Sequence, residues 1–252
     1  MKVDVVVLAG GDGAVIDPTS RFKGLLPIGG KPMVAWVAEA AREAKMISEV
    51  AVVVPTAEDL GPWADQVDKI VVSDDDVLPN ILAGVRAFRD DRPVLLVTGD
   101  VPALTPEAID DFVERSLETG ADFTYPLVRK EDMLEQFPGS DRTFVRLATG
   151  SVTGGNMMIV NPALVEQNVD IGRRLFSTRK SALQMARVIG MRFVFKLATG
   201  RLQVHEVEAK MEDLLGGKGA AIYTNYASIG ADVDKPEDVV VAERVLHARG
   251  SG

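Results

Sequence analysis

The chain has 252 residues, 46% hydrophobic and 26% charged, which is the composition of a folded globular protein with a sizeable core. With 28 Lys+Arg against 37 Asp+Glu the net charge is −9, so its overall field does not suit nucleic acid or an anionic lipid surface, and an anionic ligand must be held by a local site. Cysteine is absent and the only histidines are His205 and His247, which excludes disulfides, thiol nucleophiles and cysteine or three-histidine metal sites, disfavours a Ser-His-Asp triad, and leaves the chemistry to carboxylates, Lys, Arg and backbone.

Val3–Leu8 reads as a buried strand, β-branched and stopped by Gly10-Gly11. It is too short and too acidic for a signal-peptide core, and no apolar run is long enough to span a membrane, so a cytoplasmic location is expected. A glycine-containing loop runs to Lys31, and the pattern then predicts a helix over Pro32–Ala44. Val50–Val54 is a strand, Ala57–Ala64 a short helix and Lys69–Val72 a third strand. Leu78–Phe88 is a helix with Leu78, Leu82, Val85 and Phe88 on one stripe. Val94–Thr98 is a fourth strand. Thr105–Leu117 is a helix with Thr105 as N-cap and Pro106 first, and Ala121–Val128 is strand again.

The second half is less regular. Thr143–Ala148 and Asn156–Val160 look like strands flanking Gly154-Gly155. Residues 163–190 look helical but broken, and 192–198 fit strand or helix. Val204–Leu215 is a helix, Ala220–Tyr223 a short strand and Pro236–Ala248 the last helix. Apolar strands alternating with helices predict a mostly parallel sheet covered on both faces, with ligands at the strand carboxyl ends where strand order reverses. The loops after Leu8 and Thr98 are therefore the first places to search. The chain is expected to be one domain over 1–252, with residues 129–215 an elaboration within it.

The strongest motif is Leu8-Ala9-Gly10-Gly11-Asp12-Gly13, followed by Lys23-Gly24-Leu25-Leu26-Pro27-Ile28-Gly29-Gly30-Lys31-Pro32-Met33. Glycines after a first strand let backbone N–H groups approach a phosphate, and Lys23 adds a mobile positive charge. A dinucleotide fingerprint fails at Ile16 and a P-loop fails at Pro32. Asp100, in Gly99-Asp100-Val101-Pro102, falls at the carboxyl end of a buried strand, where a lone carboxylate suits Mg²⁺. In Asp232-Val233-Asp234-Lys235-Pro236-Glu237-Asp238 the two aspartates share one side of an extended segment. Asp234 and Glu237 also have the spacing of a capping box for the last helix.

Together these blocks resemble the MobA-like NTP transferases and the sugar-phosphate nucleotidylyltransferases. The resemblance implies a three-layer α/β/α sandwich of GT-A-like type with a small acceptor-side subdomain. It implies nucleotidyl transfer from an NTP to a phosphorylated small-molecule acceptor, with Mg²⁺ as cofactor. It places Leu8, Ala9, Gly10, Gly11 and Gly13 around the base and phosphates, with Asn80 near the base. Lys23 falls at the reacting phosphates, and Asp100 and Asp234 are the metal ligands, with Asp232 the alternate. Gly155 and Asn156, after Gly154, lie on the acceptor side. One departure stands out: the family arginine that meets the leaving pyrophosphate is replaced by Val15, so either Arg21 in the same loop rebuilds the phosphate grip or activity is weakened or lost.

Other features have plainer readings. Asp74-Asp75-Asp76 could mark a glycosyltransferase site but reads better as a solvated loop capping the next helix. His205 and His247 read as helix-surface residues. Arg173, Arg174, Arg179, Lys180 and Arg187 form a basic cluster, read as a solvated helical face rather than an acceptor site. The apolar 182–202 stretch leaves a homodimer open, and neither nucleic acid nor stable membrane insertion is expected. A nucleotide-sugar glycosyltransferase and a non-catalytic nucleotide sensor are the alternatives to the transferase.

Overall fold

The computed structural model describes residues 1–73, 76–88, 92–178 and 190–250. The parallel heart of the sheet is β1 (Val3–Leu8), β4 (Ile47–Val54), β5 (Lys69–Val72) and β6 (Val94–Thr98), in the order β5-β4-β1-β6. Two short strands, β2 (Pro27–Ile28) and β3 (Lys31–Pro32), form a separate hairpin between β1 and the first helix. Strand order reverses between β1 and β6, and Leu8 pairs in register with Thr98, so the two loops leave the sheet at one level. The sheet continues through β10 (Met157–Val160), antiparallel to both β6 and β7 (Phe123–Arg129). The strand β9 (Gly150–Gly154) extends along the same edge of β7 and pairs with β8 (Val145–Leu147). The last strand, β11 (Gly219–Thr224), runs parallel to β7.

Period-2 alternation divides the core between two faces. Val3, Val5 and Val7 face α1 (Met33–Glu43) and α3 (Pro106–Glu118), meeting Val34, Val37, Ile109 and Phe112. Val6, Val53 and Leu96 face α2 (Val77–Arg86), meeting Val85 and Phe88. Helices on both faces of a mostly parallel sheet make the expected α/β/α sandwich. Phe112 is fully buried, and truncating such a side chain costs about 3–5 kcal/mol. Thr105 caps α3 as its sequence predicts, its side chain accepting a hydrogen bond from the Ala108 N–H at 3.2 Å.

The second half differs from the expectation in two places. Lys130–Gln136 forms a helix, α4, where none was assigned. Its acidic residues at the start and buried Met133 are the signals, too few over seven residues to read as periodicity. Gly150–Gly154 is strand β9, so Gly154 ends a strand rather than sitting in a loop between two others. Its three non-glycine residues are Ser151, Val152 and Thr153, and pairing with β7 and β8 rather than composition makes it a strand. In the first half, the expected short helix at 57–64 is a 3₁₀ helix over Ala57–Gln66, broken at Gly61.

Residues 163–178 fall into α5 (Pro162–Gln167) and α6 (Val169–Thr178), and 191–198 resolve as helix α7 (Met191–Ala198). Then follow α8 (Val204–Leu215) and α9 (Pro236–Gly250). Phe193, Leu197, Val204 and Val207 close over Leu127, Leu147, Val152 and Leu202, covering the β7–β9 end of the sheet. Among the described residues no helix is long and apolar enough to cross a membrane.

Candidate functional site

The glycine segment leaves β1 at the reversal point and returns to itself. The Lys23 N–H donates to Gly11 O at 2.9 Å and the Gly13 N–H to Arg21 O at 3.2 Å, closing residues 12–22 into a loop with a tied neck. Within it, Asp12 accepts from the Ala14 N–H and Asp17 from the Thr19 N–H. Position 24 must be glycine, because a Cβ there would lie 2.7 Å from Ala9 O and 2.9 Å from Ala9 Cα. That close approach brings Lys23 over the end of β1. The later part of the motif serves packing. Lys31 pairs with Glu39 and sits 3.6 Å over the Trp36 ring, while the Trp36 indole N–H donates to Ile28 O at 2.8 Å.

Lys23 meets two carboxylates from distant parts of the chain. Its Nζ lies 2.6 Å from Asp100 Oδ2 and also bonds Asp234 Oδ1. Burial pulls the ammonium's pKa down, but the charges of Asp100 and Asp234 and their hydrogen bonds outweigh it and hold the pKa above the ordinary lysine value. Asp100 itself is fixed by its own strand, accepting from Thr98 Oγ1 at 2.5 Å. The Gly99 N–H donates to Leu8 O at 2.8 Å and the Val233 N–H to Asp100 O at 2.9 Å, so three separate segments are stitched into one corner.

Asp232 completes that corner. One oxygen from each of Asp100, Asp232 and Asp234 lies within 4.8 Å of the others. Asp232 is buried and its Oδ1 accepts from Asn156 Nδ2 at 2.8 Å and from Arg142. Carboxylate oxygens this close are the kind of group that could hold a hard divalent cation, and the Lys23 ammonium bonds two of the three, Asp100 and Asp234. The expected capping box shifts by one residue: Asp238, not Glu237, accepts from the Asp234 N–H at 2.9 Å and the Lys235 N–H at 3.1 Å. Glu237 stays on the first turn of α9, and Asp238 reaches back because its side chain is buried against the loop.

On the other side of the glycine loop is a cavity of about 220 Å³ lined by Gly10, Gly11, Asp12, Arg21, Phe22, Pro55, Ser73 and Asn80. Asn80 is buried, and its Oδ1 accepts from Ser73 Oγ at 2.5 Å, which fixes which way the amide points. Arg21 reaches the cavity rim with its guanidinium 4.7 Å from the Phe22 ring centre. Val15 is 66% exposed on the same loop. Gly155 lies in the bend between β9 and β10, its N–H donating to Pro126 O at 3.1 Å, and carries Asn156 to the carboxylates.

The structure therefore gathers Lys23, Asp100, Asp232, Asp234 and Asn156 at one point and lines the adjoining cavity with Gly10, Gly11, Arg21 and Asn80. His205 and His247 are exposed on their helices. Arg173 is exposed and pairs with Asp170 one turn away, as a solvated face does. Asp74, Asp75, Arg179, Lys180, Arg187 and residues 182–189 of the 182–202 stretch lie outside the described residues. Arg142 was missed by sequence reasoning. It sits in an irregular loop with no motif around it, and only the fold shows that it reaches Asp232.

A sheet with its glycine loop and carboxylates at the reversal point has the nucleotidyltransferase fold. The chain belongs to the MobA-like NTP transferase family, whose domain matches residues 5–192. It is similar to the 3-deoxy-manno-octulosonate cytidylyltransferase of Acaryochloris marina, 36% identical over 104 residues, which is 38% of this chain and 41% of that protein. It is likewise similar to a probable molybdenum cofactor guanylyltransferase of Thermococcus kodakarensis, 34% identical over 112 residues, 43% of this chain and 51% of that protein. The chain thus spans about half the length, or less, of these two curated relatives. A hypothetical transferase from Thermus thermophilus superposes with a TM-score of 0.83 at 33% identity, covering 95% of this chain and all of that one.

Proposed function

We propose that this protein transfers an NMP unit from an NTP to a phosphorylated small-molecule acceptor and releases pyrophosphate. The observation that carries this reading is Lys23, which rises from the glycine loop to meet Asp100 and Asp234 where strand order reverses. The phosphate-binding loop and the metal-binding carboxylates of a transfer centre are thereby joined through one cation.

In this reading the backbone of Leu8, Ala9, Gly10, Gly11 and Gly13 surrounds base and phosphates, and Asn80 lies beside the base. The ionised acceptor oxygen attacks the α-phosphorus in line, the bond from that phosphorus to the bridging oxygen of the β-phosphate breaks, and pyrophosphate leaves. The nucleophile already carries its negative charge, so no side chain need remove a proton. Lys23, with Arg21 from the loop rim, offsets charge on the transferring and leaving phosphates. Asp100 and Asp234, with Asp232 the alternate, would hold Mg²⁺, which when bound would supply further charge neutralisation. Gly155 and Asn156 border the acceptor side, and residues 129–215 form an acceptor-side elaboration of a single domain spanning 1–252. The β7–β9 cover described above supports that division.

Pyrophosphate release with each NTP, Mg²⁺ and a panel of phosphorylated acceptors tests the reading. Release that depends on acceptor and is abolished by Asp100→Ala supports it. NTP binding without release favours a sensor, and turnover of a nucleotide sugar instead favours a glycosyltransferase.

A further inference from the structure

Arg142 lies between α4 and β8, far in sequence from the residues it touches. Its side chain is 11% exposed. One guanidinium nitrogen donates to the backbone O of Asp232 at 2.9 Å, and another bonds Asp232 Oδ1. The planar fork thus grips backbone and side chain of one residue, which fixes the carboxylate's torsion as well as its charge. Asn156 adds a second donor to the same oxygen. Next to it, Lys235 Nζ bonds Asp141 Oδ2 at 2.5 Å, so two adjacent residues of the 137–144 loop tether two residues of the metal segment.

The cluster's charges are divided accordingly. Asp100 and Asp234 share the single ammonium of Lys23, and Asp234 is 61% exposed. Asp232 is buried and committed to an arginine that cannot lose its charge. Breaking such a buried pair leaves an uncompensated charge and is strongly disfavoured.

We infer that Arg142 is a positioning residue that holds Asp232 out of metal coordination, so that among these three carboxylates Asp100 and Asp234 form the metal pair. This rests on the metal site of the proposed function. Arg142 acts as a fence: it keeps a third carboxylate close enough to shape the corner but neutralised. A site with all three carboxylates free would bind a divalent cation more tightly before nucleotide arrives.

The test is Mn²⁺ binding to the whole protein without nucleotide, followed by electron paramagnetic resonance, in wild type, Asp100→Asn, Arg142→Met and the double variant Arg142→Met/Asp232→Asn. The double variant removes both charges together and so avoids a buried unpaired group; it should bind Mn²⁺ within about twofold of wild type. Arg142→Met alone, with Asp232 released, should bind about tenfold more tightly. A double variant weakened about tenfold or more makes Asp232 a ligand and overturns the inference. So does an Arg142→Met protein that folds but binds no more tightly. If Arg142→Met fails to fold, the double variant decides. If wild type binds no Mn²⁺, or Asp100→Asn does not weaken binding, the metal reading itself fails and this inference with it.

Discussion

The ammonium nitrogen of Lys23 lies 2.6 Å from Asp100 Oδ2, joining the loop after the first strand to the loop after the fourth strand of the parallel sheet. The same ammonium reaches Asp234, so one positive charge bridges the two carboxylates. In the proposed function Lys23 therefore has two roles with opposite consequences. It competes with a cation for the carboxylates, and it is the group available to neutralise phosphate charge.

Lys23→Met should separate those roles. Affinity for Mn²⁺ alone should rise about tenfold, since the competing charge is gone. Pyrophosphate release should fall about 10²- to 10³-fold, the usual cost of removing one charge-stabilising donor. Metal titration and turnover on the same preparation check both. A fall in both quantities would mean that Lys23 merely supports the fold.

The Lys23 pair also carries a pH signature. The folded-state pKa is held above the ordinary lysine value of 10.5, so the pair's stability is fully present below that value and is lost as pH rises through the folded pKa. The difference in urea midpoint between wild type and Lys23→Met should accordingly be larger at pH 8 than in strongly alkaline solution. A difference that holds constant, or grows, contradicts the pairing.

Gly24→Ala tests the close approach that places Lys23. The new Cβ would press on Ala9 backbone, which cannot rotate away as a flexible side chain does. A loss of about 1–3 kcal/mol in unfolding free energy is expected, together with weaker NTP binding. Thermal unfolding and nucleotide titration measure the two effects.

Val15→Arg probes the departure from the family pattern. Position 15 is 66% exposed, so the change should leave the melting temperature where it is. Arg21→Ala should lower pyrophosphate release about 10²-fold if Arg21 stands in for the missing group. Adding Val15→Arg to that variant should then restore much of the loss. Rescue that fails in a folded double variant would place the leaving-group charge elsewhere.

How much of this was legible beforehand follows from where information is stored in the chain. The strands Lys69–Val72 and Val94–Thr98 and the cap at Thr105 were readable because β-branched runs, turn residues and caps are local signals. Asp100 was readable because it lies two residues past the end of a buried strand, at the sheet's carboxyl edge. The short helix at 130–136 and strand β9 were not, since seven and five residues carry little periodicity and β9 is held by pairing. Arg142 was invisible for a related reason: its partner is 90 positions away, and no spacing rule connects them. The shift of the cap from Glu237 to Asp238 shows the limit of a motif whose competing acceptor lies next door and is buried.

The most direct test of the account is acceptor-dependent pyrophosphate release, measured for CTP, GTP, ATP and UTP with Mg²⁺ across phosphorylated acceptors, with Asp100→Asn and Asp234→Asn beside the wild type. The account predicts release with one NTP and acceptor pair, lost on removing Mg²⁺ and reduced by both substitutions. Release that persists undiminished in both variants, or nucleotide binding with no release for any pair, would contradict it.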